Sequence, residues 1–125
     1  LTTENLERVV DKETYLPPNN LVFHLDYKDI WLDYFINKQH LISELMSGDE
    51  LKLNGDECLN SNGQSVLKFS KKFINQIEVL RNKNYDLKSA KVNFIVYWQK
   101  EEAETEVKII LPEVCFERKN LTKER

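Results

Sequence analysis

The chain has 125 residues, 41% of them hydrophobic, with six Phe, five Tyr and two Trp. That is enough for one domain with its own core. No apolar run approaches the roughly 18 residues of a membrane span. The net charge of −3 excludes a surface that is basic throughout, as a whole-domain nucleic-acid binder requires.

The charge is unevenly spread. Residues 1–66 hold five Lys/Arg against twelve Asp/Glu, and residues 67–91 hold seven against two. Residues 92–117 are acidic again, and 118–125 are basic. Any nucleic-acid contact is therefore expected on a local patch within 67–91. The chain begins with Leu1 rather than Met and reads as a piece of a longer protein. Its first ten residues carry Glu4, Glu7 and Arg8, which is not the pattern of a secretory leader. Cys58 and Cys115 are the only cysteines, a usage that fits a cytoplasmic protein.

In chain order, residues 1–20 are polar, end in Pro17-Pro18-Asn19-Asn20 and read as a linker. Residues 21–117 read as one α+β domain, and 118–125 as a charged tail. Leu21, Phe23 and Leu25 alternate with Val22 and His24, which predicts a strand. Asp26 is an N-cap residue, and Tyr27, Ile30, Trp31, Tyr34 and Phe35 follow at helical spacing, resumed at Leu41, Ile42 and Leu45. Gly48 is the expected stop. Glu50–Leu53 runs into Asn54-Gly55, a hairpin turn signal, and Ser65–Phe69 reads as a further strand. Ser70 then caps a helix from Lys71 to about Lys83, with Phe73, Ile74, Ile77 and Leu80 as its buried stripe and Asn84 as its left-handed terminator.

The most strand-like run is Lys88–Trp98, in which Val92, Phe94, Val96 and Trp98 alternate with Lys91, Asn93, Ile95 and Tyr97. The first set is expected to lie under the helices. After a charged turn over Glu101–Thr105, Glu106–Leu111 pairs with it as an antiparallel hairpin. Pro112 is expected to interrupt, leaving Val114–Phe116 as a short edge open to a partner. The order β-α-β-β-α-β-β gives an α+β fold, a largely antiparallel sheet of about five strands with two main helices. The alternative is a small, partly open barrel with the helices at one end.

No metal or catalytic constellation emerges. His24, His40, Cys58 and Cys115 lack the close spacing of a zinc site, neither thiol sits in an activating motif, and Gly48, Gly55 and Gly63 form no phosphate-binding loop. Two surface readings remain. Lys68, Lys71, Lys72, Arg81, Lys83, Lys88 and Lys91 surround the second helix, where cations suit nucleic-acid phosphates. Asp29 and Asp33, one helical turn apart beside Asp26, are candidates for an acidic protein contact. The aromatic residues Trp31, Tyr34, Phe35, Tyr97 and Trp98 all have core-like spacing; Tyr97, on the mixed face of its strand, is the one candidate for base stacking, with core packing the favoured reading.

Five stretches, LDYKDIWLDYF (Leu25–Phe35), SGDEL (Ser47–Leu51), VLKFSKKF (Val66–Phe73), LKSAKVNFIVYW (Leu87–Trp98) and IILPEV (Ile109–Val114), together resemble a C-terminal accessory segment of long bacterial RecQ-type ATP-dependent DNA helicases. The resemblance implies a parent that unwinds DNA with ATP and Mg2+, and a fragment that is non-catalytic and binds no cofactor itself. The expected partners are DNA, the parent's motor domain or another protein, with no membrane contact.

Overall fold

The alternation of Leu21 and Phe23 with their polar-side neighbours folds as strand β1, Asn20–His24. The computed structural model describes residues 17–119. Most of the expected linker and the end of the charged tail lie outside the described residues. Where the linker reading enters the described range, the backbone is tied down: the Tyr85 hydroxyl donates to the Pro18 carbonyl (2.6 Å) and the Arg118 N–H donates to that of Asn19 (2.7 Å).

Asp26 caps as expected. Its carboxylate accepts from the Lys28 N–H (2.9 Å), while that of Asp29 accepts from the Asp26 N–H (3.0 Å), a reciprocal capping box. The helical spacing beyond it does not produce a continuous α-helix. A 3-10 turn, Tyr27–Asp29, stops at Ile30, whose backbone is extended and bridges to Phe69. A second 3-10 helix, Leu32–Lys38, and a short α1, Gln39–Ile42, complete the segment. The reason is competition for backbone groups: the Trp31 N–H donates to the Lys68 carbonyl (2.9 Å) instead of to its own preceding turn. Tertiary pairing outweighs local helical spacing here.

The next strands are β2, Glu50–Asn54, β3, Glu57–Leu59, and β4, Ser65–Lys68. Strand β3 was not anticipated, because three residues between turns carry too little alternation to register. The β2–β3 loop is Gly55-Asp56, one residue later than the Asn54-Gly55 signal. Only Gly55 takes a positive φ (+64°), as a II′ hairpin turn requires. Helix α2, Lys71–Asn82, starts at its predicted cap, with Ser70 Oγ accepting from the Phe73 N–H (3.3 Å), and ends before Asn84 at φ +73°. Strands β5, Tyr85–Trp98, and β6, Val107–Arg118, form the long hairpin.

All pairings are antiparallel, in the spatial order β1-β6-β5-β2-β3-β4. The fold is thus α+β, a curled sheet with two helices. It has six strands rather than about five, the extra one falling between β2 and β4. The segment between β1 and the second 3-10 helix links the two ends of the strand order: the Leu25 N–H donates to the Pro112 carbonyl in β6, next to edge strand β1 (2.9 Å), and Ile30 bridges to Phe69 just past edge strand β4. The core joins helix and sheet through Phe73, which lies 5.0 Å from Phe69 and 6.3 Å from Phe116 between ring centroids, with Phe23 edge-on to Phe116 at 5.4 Å.

Two readings of the hairpin need correction. Strand β5 is bulged at Lys88 and at Asn93, since Leu87 and Ser89 oppose consecutive β6 residues, as do Val92 and Phe94. A bulge reverses which face the following residues present. Val92 is therefore buried, whereas Phe94 is 56% exposed instead of lying under the helices. Strand β6 in turn runs straight through Pro112. The Val92 N–H donates to Asp49 and its carbonyl accepts from Gly48. Both polar groups thus point toward β2, and the Val92–Pro112 pair needs no proline N–H. Val114 and Phe116 are not an open edge, because β1 pairs with them through Phe23 and Leu21.

Beyond β1, the outer side of β6 is closed by one side chain. Gln39 Nε2 donates to the Phe35 and Lys108 carbonyls (2.8 and 2.9 Å), and its Oε1 accepts from the Lys108 N–H (2.8 Å). Replacing Gln39 with Leu, similar in size, strands both backbone groups of Lys108. We expect a loss of about 1–3 kcal/mol, seen as a lower urea midpoint at unchanged slope. An unchanged midpoint would show the latch to be dispensable.

Candidate functional site

Because Ile30 is pulled against Phe69, the residues after it are turned toward α2. A groove of about 760 Å³ opens there. Its floor is apolar, formed by Ile30, Leu32, Phe69, Ile74 and Trp98, and Trp31 stands at its rim. Trp31 was expected in the core but is 50% exposed. The cause is the break at Ile30, which takes Trp31 off the helical stripe that buries Phe35. Both tryptophans of the chain line this groove. No sequence motif marks it; its only trace is an amphipathic run carrying more large aromatic residues than a short helix can bury.

Polar groups ring the floor: Asp33, Asp56, Lys68, Lys71, Asn75 and Lys100. Lys100 pairs with Asp33 at 3.2 Å and Lys68 with Asp56 at 3.9 Å. The Lys68 ammonium also lies 5.1 Å from the Trp31 ring centroid and 5.9 Å from that of Tyr34, close enough for cation–π attraction. Tyr34 is anchored through its hydroxyl, 2.6 Å from that of Ser65. The rim is thus built from groups already holding one another, with Lys71 exposed and in no ion pair among the described residues.

The seven cations expected to contact phosphates do not form one open face. Lys68 is engaged as above, Lys72 pairs with Asp29 (2.9 Å), Arg81 with Glu78, and Lys91 with Glu113 (3.6 Å). Lys71, Lys83 and Lys88 are exposed and have no acidic partner among the described residues. The hydrogen bond to Asp29, aided by its charge, holds the Lys72 ammonium above the usual lysine range. Asp29 and Asp33 are likewise not a shared acidic face. Asp29 is turned inward, its side chain 14% exposed and fastened to Lys72 and to the Asp26 N–H, while Asp33 is exposed and held by Lys100.

The soft ligands are dispersed. His24 lies 3.3 Å from Glu113, which also meets Lys91. Cys58 in β3 and Cys115 in β6 are free thiols on strands separated by β2 and β5. Among the described residues, no group of three or more His, Cys, Asp or Glu side chains is gathered as a metal site, and no helix is long and apolar enough to cross a membrane. Comparison with protein-family models, curated proteins and solved structures finds no match.

Burial pushes the Cys58 thiol up to about 12 from its ordinary 9.0. The unfolded state therefore loses this proton first, and the stability it supports is full below pH 9.0 and declines up to about 12. At neutral pH the buried thiol is a poor nucleophile. Iodoacetamide should label the partly accessible Cys115 and spare buried Cys58 until denaturant is added, as read by peptide mass spectrometry. Equal labelling of both in the native protein would contradict the buried position.

Proposed function

We propose that this chain is a non-catalytic accessory domain that works by receiving part of another protein in the groove between Trp31 and α2. The observation that carries this reading is the groove itself, an apolar floor with a half-exposed tryptophan at its rim. A cleft of this kind is the usual form of an anchoring site. The resemblance to the RecQ-type accessory segment supplies the setting: a cytoplasmic bacterial helicase driven by ATP and Mg2+, with its own motor domain as the first partner to test. Trp residues in such clefts commonly dominate binding. Trp31→Ala should therefore weaken binding to a RecQ-type motor domain, measured by calorimetry, by roughly 2 kcal/mol, about 30-fold. Asp33→Lys, which only disturbs the rim pair with Lys100, should cost less. Wild-type affinity in Trp31→Ala would sink the groove as the contact.

A second reading is direct contact with DNA phosphates. It is favoured by Lys71, Lys83 and Lys88, which remain exposed and unpaired among the described residues. Each phosphate neutralised on duplex DNA adds about −0.9 to the slope of log affinity against log salt, so these lysines together give a slope of about −2.7. Changing Lys71, Lys83 and Lys88 together to Ala should abolish that salt dependence. Undetectable binding at low salt, or an unchanged slope in the triple variant, counts against DNA contact.

A further inference from the structure

The groove selects for charge as well as for apolar surface. Its two carboxylates, Asp33 and Asp56, are each already held by a lysine, Lys100 and Lys68. With Lys68, Lys71 and Lys100 set against Asp33 and Asp56, the lining carries one more positive than negative charge, so a cationic ligand is the poorer fit. An anionic ligand meets Lys71 directly, which lines the groove, is exposed and has no ion-pair partner among the described residues. The Lys68 contact with Asp56, at 3.9 Å, is the longer of the two rim pairs, so this ammonium can also turn toward an incoming carboxylate. An anion with no apolar part would leave the partly exposed Trp31, Leu32, Ile74 and Trp98 uncovered, and burying them is the larger gain.

We infer that the occupant of this groove is an acidic protein segment with a large apolar or aromatic anchor, its carboxylates meeting Lys71 and its anchor entering between Trp31, Ile74 and Trp98. This deepens the reading of the groove as a protein-docking site and rests on it. Complementary charge at the rim fixes orientation and speeds encounter, while the desolvated anchor supplies most of the affinity.

The chain's only two tryptophans line the groove, so their emission reports its occupancy. The 125-residue chain is titrated with three synthetic peptides: one rich in Asp and Glu with Phe as anchor, one with every acid changed to Lys, and one with Phe changed to Ser. Only the first should shift the emission at low micromolar concentration. K71E should weaken it about tenfold, and K83E, at the far end of α2, should leave it unchanged. Binding of the Lys-rich peptide as tight as that of the acidic one, or an unaltered affinity in K71E, overturns the inference. If no peptide shifts the emission while a motor domain still binds through Trp31, the acidic-segment inference falls and protein docking at the groove stands. If Trp31→Ala leaves both peptide and motor-domain binding intact, the groove reading falls as well.

Discussion

The structure depends on a knot of hydrogen bonds between the turn after β1 and the start of α2. Ser70 donates through its Oγ to the Lys28 carbonyl (2.8 Å) and through its N–H to that of Asp29 (3.0 Å), while the same Oγ accepts from the Phe73 N–H. Lys72 adds its ammonium to the Asp29 carboxylate at 2.9 Å. One end of the segment is held by β6 at Pro112, the other by Lys68 and Phe69 beside β4. A single stretch therefore ties β6, beside edge strand β1, to the end of edge strand β4. The capping serine serves as a helix cap and as a clasp between elements some forty residues apart in sequence.

That clasp also shapes the surface. By ending the first turn at Ile30 it removes Trp31 from the buried stripe and stands it beside α2. The groove is thus a by-product of sheet closure. The Trp31 wall is held by the same contacts: its backbone N–H donates to the Lys68 carbonyl, and its ring is faced by the Lys68 side chain. A surface whose side chains are already ordered loses less conformational entropy on binding.

Local signals and tertiary ones were unequally legible in the sequence. The caps at Asp26 and Ser70, the left-handed Asn84 and the hairpin across the charged turn all depend on a few neighbouring residues, and each forms as expected. The misjudged features depend on partners far along the chain. The helical spacing of Tyr27–Phe35 is real, but Phe69 takes Ile30 into a bridge. The bulge at Asn93 moves Phe94 outward, although nothing in its own alternation reveals this. The basic residues do surround α2 in the fold, where Asp29, Asp56 and Glu113 pair with three of them, Lys72, Lys68 and Lys91. Composition can count charges, but only the fold decides which of them face each other.

The hairpin tip carries one more consequence. Strand β5 is paired with β2 only around Ala90 and Lys91, and its last residues up to Trp98 extend past the end of that neighbour. A strand end with no strand neighbour on its β2 side, and with Phe94 and Tyr97 exposed, is an invitation to self-association. The turn that follows is crowded with Glu101, Glu102, Glu104 and Glu106, all exposed. Two copies approaching tip to tip would bring these carboxylates together. Like charges placed beside an exposed apolar strand end disfavour its pairing with a second copy.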